Sequence, residues 1–198
     1  MPSSSSHIIK PIAVLAVLLA ATGGAQAQEA STDAPVVIEG MAPEGPRVGQ
    51  PYLAGTEGDW EIRCLRAAQG DDPCQMYQLL TDSQGNAVAE FTLFDLPDDP
   101  LQPVMGGSIT APLETLLTAQ LSVQVDDNPA RSYPFSFCTQ QGCIATVALT
   151  AEAMAEMRAG MVATVTLIPA QAPNQQVRVT ASLIGFTAAS NRIAIPEG

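Results

Sequence analysis

Histidine and lysine are almost absent from this chain, which excludes much of the familiar catalytic machinery. The one histidine is His7 and the one lysine is Lys10, so neither residue type occurs beyond the first ten positions. The rest of the chain therefore cannot build hydrolases with an imidazole base, histidine-based metal sites or lysine Schiff bases. Four cysteines are present, and disulfide bonding is the first chemistry that they suggest.

Basic residues in general are scarce, and this excludes a second group of functions. The chain has eight lysines and arginines against twenty aspartates and glutamates, and its net charge is −12. Such an acidic protein repels phosphate backbones and anionic membranes, and its few arginines form no basic stripe. We therefore expect no nucleic-acid partner, and we interpret the charge mainly as a source of solubility.

The first 27 residues have the three parts of a secretory signal peptide. Lys10 and the α-amino group give a weakly positive start, and residues 12–21 are all apolar. This run is shorter than the roughly 20 residues that span a bilayer, and Ala25-Gln26-Ala27 matches a cleavage site. We therefore predict export, a mature chain that begins at Gln28, and no integral membrane span. The predicted location is the periplasm, the outer-membrane surface or the medium.

The pattern of the chain changes near Gly58. Residues 28–57 contain many prolines, glycines and acids and show no persistent apolar period, so they are predicted to be a linker. After Gly58, apolar and polar residues alternate, as is typical of half-buried strands. Trp60 shares one face of its predicted strand with Ile62 and Cys64, so we expect it in the core rather than at a ligand site. The strand candidates are residues 60–64, 74–81, 86–95, 121–126, 135–137, 143–149, 161–167 and 177–183.

One short helix is predicted among these strands. Thr150 is a suitable N-cap, Glu152 and Arg158 complement the two ends of the helix dipole, and Gly160 suits the position after the last turn. This pattern predicts an all-β, mainly antiparallel fold: a β-sandwich or jelly-roll-like domain over residues 58–190 with one short α-helix. Residues 191–198 are predicted to be a C-terminal tail.

The four cysteines are interpreted as two structural disulfides, because the chain is predicted to be exported. Three pairings are possible, and short sequence separation favours Cys64–Cys74 and Cys138–Cys143. The spacings C-x9-C and C-x4-C differ from the C-x-x-C of thioredoxin-like redox sites. A zinc site would need all four thiolates in an oxidising compartment. We therefore predict no redox, metal or cofactor site at these cysteines.

Carboxylates leave one catalytic chemistry open, the paired-acid mechanism of glycoside hydrolysis. The acids concentrate in three predicted turns, which contain Asp71-Asp72, Asp126-Asp127 and the group Asp95, Asp98 and Asp99. No turn has the spaced D-x-D-x-D-G pattern of a calcium loop, and aspartate favours turns for backbone reasons. We interpret these acids as solvated turn residues. Gly106-Gly107 is interpreted as a bulge or turn rather than as a phosphate-binding loop.

An ordered set of short motifs resembles one known family, the invasion-associated locus B proteins. In chain order the set comprises Gly58-Asp59-Trp60, Cys64, Cys74, Cys138-x-x-x-Gly142-Cys143 and Leu183-Ile184-Gly185-Phe186. The resemblance covers roughly residues 58–189. The resemblance implies an exported protein of the alphaproteobacterial envelope or medium. Some members of that family are linked to host-cell invasion.

These observations lead to three hypotheses of function. The first is a non-enzymatic β-domain that binds an envelope or host protein or glycan, with the proline-rich segment as a tether. The second is a periplasmic chaperone or assembly factor that offers a sheet edge to an incoming strand, which requires a long, uncovered edge with few charges. The third is a carbohydrate-active enzyme, which requires two carboxylates about 5–9.5 Å apart in a cleft.

Overall fold

The computed structural model of this chain describes residues 45–97 and 102–195. The predicted signal peptide lies outside the described residues, as do residues 28–44 of the predicted linker. Asp98, Asp99 and residues 196–198 also lie outside them. No helix among the described residues is long and apolar enough to cross a membrane.

The described residues contain eleven strands, two short α-helices and a single 3-10 turn at Leu117–Ala119. The strands are β1 (Pro51–Glu57), β2 (Trp60–Leu65), β3 (Cys74–Thr81), β4 (Ala87–Asp95), β5 (Met105–Ala111), β6 (Leu121–Val125), β7 (Arg131–Tyr133), β8 (Phe135–Cys138), β9 (Cys143–Leu149), β10 (Val162–Leu167) and β11 (Val177–Ser182). The helices are α1 (Ala151–Ala159) and α2 (Phe186–Arg192).

The strands form two antiparallel sheets that share one core. The larger sheet has the order β1-β2-β3-β4-β5-β9-β8, and the smaller has the order β11-β10-β6-β7. Along most strands other than the edge strands β1 and β8, buried apolar residues alternate with more exposed residues, so that each sheet turns one face inward. The inward side chains of both sheets belong to a single apolar cluster. This architecture confirms the predicted all-β antiparallel sandwich.

Trp60 lies at the centre of that core, where the alternation of β2 places it. It is fully buried, and its ring meets the edges of Phe91 and Phe186 at centroid distances of 5.7 and 5.6 Å. Its indole Nε1 donates a hydrogen bond of 2.9 Å to the carbonyl of Ser182. The buried amide of Gln78 binds the same residue, accepting from its N–H at 2.7 Å. These bonds attach β11 of the small sheet to β2 and β3 of the large one.

Strand β1 lies within the segment that the sequence predicts to be a linker. It pairs with β2 from Pro51 opposite Leu65 to Glu57 opposite Trp60, so the sheet begins before Gly58. The register shifts between Leu53 and Gly55, where Gly55 has a φ of 144°. This bulge interrupts the alternation that would otherwise have predicted the strand.

The Gly106-Gly107 pair lies inside strand β5, which corrects its interpretation as a bulge or turn. A Cβ at Gly106 would lie 2.7 Å from the ring of Phe94, and one at Gly107 would lie 2.2 Å from the carbonyl oxygen of Thr92. The glycines are therefore required by close approach to β4 rather than by a reversal of the chain.

Within residues 45–97 and 102–195 there are two short α-helices, whereas the sequence predicts one. Helix α1 begins as predicted, since the Thr150 hydroxyl accepts a hydrogen bond of 3.2 Å from the amide of Ala153. Gly160 caps its end with a φ of −80°, and a Cβ there would lie 2.5 Å from Val125. Glycine is therefore required here because a side chain would collide with Val125, and not because the backbone is left-handed. Helix α2 extends through Arg192 into the residues predicted to be a tail.

Candidate functional site

Both disulfides join residues that lie directly opposite each other on neighbouring strands. Cys64 of β2 pairs with Cys74 of β3, and Cys138 of β8 pairs with Cys143 of β9. These are the two local bonds that the cysteine spacing favours. No cysteine is free, so no thiol remains to act as a nucleophile or a metal ligand. The Cys64–Cys74 bond also lines a large groove on the surface.

This groove, which we call the disulfide groove, encloses about 1020 Å³. One side is formed by residues 63–65 of β2 together with residues 71–75, which lead into β3. The other side is formed by Phe94 and Asp95 at the end of β4 and by residues 192–195 after α2. Segments from distant parts of the chain therefore build the site.

The C-terminal side of the groove is held by polar contacts to two strands. The Arg192 guanidinium lies 2.8 Å from the Glu57 carboxylate and donates a second bond of 2.5 Å to the carbonyl of Ala54. It lies over the bulge, where a Cβ at Gly55 would come within 2.8 Å of it. The amide of Ile195 donates a bond of 2.7 Å to the carboxylate of Asp95. These contacts fix residues 192–195 beside β1 and β4.

The opposite side of the groove is held by a cluster around Asp72. Its carboxylate accepts a hydrogen bond of 2.5 Å from the Tyr52 hydroxyl and one of 2.8 Å from the amide of Ala67. It also lies 2.8 Å from the Arg66 guanidinium. These interactions lower the pKa of Asp72, with the Tyr52 hydrogen bond as the largest cause, and the same bond raises the pKa of Tyr52. Asp72 is therefore an ionised anchor for the loop between β2 and β3.

A second charged cluster lies on the rim of the groove. The Arg63 guanidinium lies 3.2 Å from the centroid of the Tyr77 ring, a cation–π contact, and 2.8 Å from the Glu61 carboxylate. Burial beneath these groups raises the pKa of Tyr77. Arg63 therefore has its own partners within the protein, so its charge is partly satisfied before any ligand binds.

The groove also presents large apolar side chains to solvent. Leu65 is 44% exposed, Phe94 is 42% exposed and Ile195 is 53% exposed. Each borders the groove, and together they flank the Cys64–Cys74 disulfide. An apolar surface between internally paired charges is suited to contact with another apolar surface rather than to chemical transformation.

The acidic turn residues that the structure describes do not come together as a metal centre. Asp72 and Asp95 both line the groove, but they bind backbone or side-chain donors of the protein itself. Asp126 accepts bonds from the amides of Met161 and Val162, so it fixes the start of β10. Among residues 45–97 and 102–195, no three His, Cys, Asp or Glu side chains form a cluster that could hold a metal ion.

Several groove residues escape the sequence analysis because they lie in segments predicted to be unstructured. Pro51 falls in the predicted linker, and Arg192 and Ile195 fall in the predicted tail. One signal could have identified α2, since the buried residues Phe186, Ala189, Ser190 and Ile193 recur at helical spacing. No local pattern shows that Arg192 contacts β1, because that contact spans more than 130 residues of sequence.

Fold and site together define an antiparallel β-sandwich protein with two disulfides and an open surface groove. The chain belongs to the invasion-associated locus B family, since the family model described as "Invasion associated locus B (IalB) protein" matches residues 60–194. The match ends at the groove residues after α2. The predicted family resemblance is therefore confirmed.

Individual relatives agree with this assignment. Two proteins named Invasion protein B homolog, from Brucella abortus strain 2308 and from biovar 1 strain 9-941, are each 30% identical to this chain over 146 residues. These matches cover 73% of this chain and 81% of each relative. The crystal structure of invasion associated protein B from Bartonella henselae matches with a TM-score of 0.62 and 26% identity, over 72% of this chain and 95% of that one. The relatives are named as invasion proteins rather than as enzymes.

Proposed function

We propose that this protein is exported and acts without catalysis, by binding a protein of the cell envelope or of a host cell in the disulfide groove. The proposal of export is supported by the signal-like N-terminus and by two disulfides, which form and persist in oxidising compartments. Family membership supports an invasion-associated role. It leaves the partner to be identified from the chemistry of the site.

The observation that carries the binding proposal is the form of the groove. Its volume of about 1020 Å³ reaches the upper limit of the roughly 300–1,000 Å³ that small-molecule pockets enclose. Several side chains of a protein segment fit such a space. The exposed Leu65 and Ile195 would be buried by the partner, while the carboxylates of Asp72 and Asp95 already have donors within the protein.

The two alternative functions find less support in the same residues. A glycosidase needs a carboxylic acid with a raised pKa, whereas the pKa of Asp72 in the groove is lowered. A strand-accepting chaperone needs a long open edge. In the large sheet, edge strand β8 has four residues, and Arg192 already occupies the Ala54 carbonyl of edge strand β1.

The binding proposal is tested by capture from the envelope fraction with matched variants. The exported protein should recover one stoichiometric protein, and the double variant Leu65→Glu/Ile195→Glu should lose it, because each change places a charge on the groove. The control variant Met161→Glu/Ile184→Glu changes two apolar side chains that are 64% and 57% exposed outside the groove, and it should retain the partner. Equal recovery by both double variants would reject the groove as the binding site.

Export is tested separately by intact mass. The protein recovered from the periplasm or the medium should begin at Gln28 and contain no free thiol. Recovery of the intact chain from the cytosol with four free thiols would contradict export and leave the groove geometry without its disulfide.

A further inference from the structure

The charges of the disulfide groove are unequally matched within the protein, and the imbalance bears on the partner. Each arginine that lies in the groove or next to it has an acidic partner of its own. At 2.8 Å, Arg63 pairs with Glu61, Arg66 with Asp72, and Arg192 with Glu57. The positive charges of the groove are therefore neutralised before a partner binds, and an acidic partner would find no free cation there.

Two carboxylates of the groove have no such match. Asp71 is exposed, and its side chain has no hydrogen bond or ion pair with any residue of the described ranges. Asp95 accepts a hydrogen bond from the amide of Ile195, which is a neutral donor. No arginine lies within 4.0 Å of either carboxylate. The two acids belong to opposite sides of the groove, so each side has one uncompensated negative charge.

Exposed apolar side chains accompany these acids on both sides. Leu65 lies on the same side as Asp71, and Ile195 lies on the same side as Asp95. An apolar partner without charge would remove water from both carboxylates and offer them nothing in return, which is unfavourable. Lysine and arginine avoid this cost, because each combines a long apolar stem with a cationic end. Such side chains therefore match both components of the groove surface.

We propose that the partner segment in the disulfide groove has apolar side chains flanked by lysine or arginine. The apolar side chains contact Leu65 and Ile195, and the cationic ones pair with Asp71 on one side and Asp95 on the other. This inference rests on the proposed function, since it specifies the chemistry of that partner. The net charge of −12 favours the same partner at longer range, because it attracts cationic proteins and speeds their association.

Selection from a library of short random peptides displayed on phage tests this chemistry on the exported protein. The native protein should enrich peptides in which lysine or arginine flanks apolar residues. The variant Asp71→Asn/Asp95→Asn should still enrich apolar peptides but lose the preference for cations. Asparagine keeps an acceptor for the Ile195 amide, so the groove should stay intact. The control Glu114→Gln/Asp127→Asn removes two exposed acids outside the groove, and it should select as the native protein does.

Fluorescence anisotropy with one selected lysine peptide then measures the size of the effect. Asp71→Asn/Asp95→Asn should raise the Kd about fivefold, because partly exposed ion pairs are individually weak. Salt at about 0.5 M should remove most of this difference by screening. A peptide with glutamine in place of lysine should bind the native protein and this variant with the same Kd.

The selections also separate this inference from the proposed function. The same cationic preference in the native protein and in Asp71→Asn/Asp95→Asn would overturn the inference alone, as would groove-binding peptides without lysine or arginine. The neutral variant Leu65→Ser/Ile195→Ser identifies groove binding, since it should lose the selected peptides. If this variant keeps them, the peptides bind elsewhere and the groove itself is rejected. No enrichment by the native protein would count against both proposals.

Discussion

The two disulfide-bonded hairpins of the large sheet differ in how much of the molecule depends on them. Cys138–Cys143 closes a short hairpin that is exposed at Cys138 and lies outside the groove. Cys64–Cys74 closes a longer loop, which contains the Asp72 cluster and forms one side of the groove. Bonds of the same chemistry therefore have different consequences: one is local, and the other supports the candidate site.

Removal of each disulfide gives the largest expected difference between the two hairpins. Loop entropy predicts a loss of about 3 kcal/mol in the free energy of unfolding for Cys64→Ala/Cys74→Ala and about 2 kcal/mol for Cys138→Ala/Cys143→Ala. The first double variant should also lose partner binding, whereas the second should retain it. Urea denaturation and capture from the envelope fraction measure the two effects. Equal loss of binding by both variants would remove the distinction between the hairpins.

Substitution of Arg192 tests the opposite side of the groove. Arg192→Ala removes an ion pair with Glu57 and a hydrogen bond to the Ala54 carbonyl, and the expected cost is about 1 kcal/mol because the pair is partly exposed. Partner binding should weaken more than this cost explains, since residues 193–195 lose their attachment to β1. Arg178→Ala is the control, because Arg178 is exposed on the small sheet and bonds to the nearby Gln176. If both variants bind equally, Arg192 does not position the groove.

The smallest expected effect is the pH dependence of the Asp72 cluster. The pKa of Asp72 is lowered in the folded protein by its bond from Tyr52, so its contribution to stability is present above the unfolded pKa of about 3.9. That contribution is lost as the pH falls through the lower folded value. The stability difference between the native protein and Asp72→Asn should therefore be largest near neutral pH and shrink below about pH 4.

Urea denaturation over a pH series measures this difference, with Asp71→Asn as the control in the same loop. Glu156 and Asp82 also have lowered pKa values, so acid destabilisation of the native protein alone is not diagnostic. A difference that stays constant from neutral pH to pH 2 would contradict the role of Asp72 as an ionised anchor.

The sequence predicts those parts of the fold in which burial follows a local period. Alternation predicts β2, β6 and β10 because one face of each strand is buried, and Thr150 predicts the start of α1 by its hydroxyl cap. Short separation favours the observed disulfide pairs because closely spaced cysteines meet across a hairpin. The sequence does not predict strand β5, because Gly106 and Gly107 interrupt its apolar pattern. These glycines are explained by the close approach of β4, which no local pattern reveals.

The groove is less predictable than the fold. The Cys64–Cys74 bond is predicted, but the other side depends on Arg192 and Ile195, which reach β1 and β4 only after the chain has folded. The exposed apolar side chains of Leu65 and Phe94 also carry no local signal, since a half-buried strand shows the same alternation whether its outer face is covered or free.

Site-specific photo-crosslinking from position 65 is the most direct test of the central claim, that the disulfide groove binds a protein partner. A photoreactive residue replaces Leu65 in one protein and Ile184, which is 57% exposed outside the groove, in another. After illumination in the cell envelope, position 65 should crosslink to the protein that the native chain captures, and position 184 should not. The same crosslinks from both positions, or none from position 65, would contradict the account.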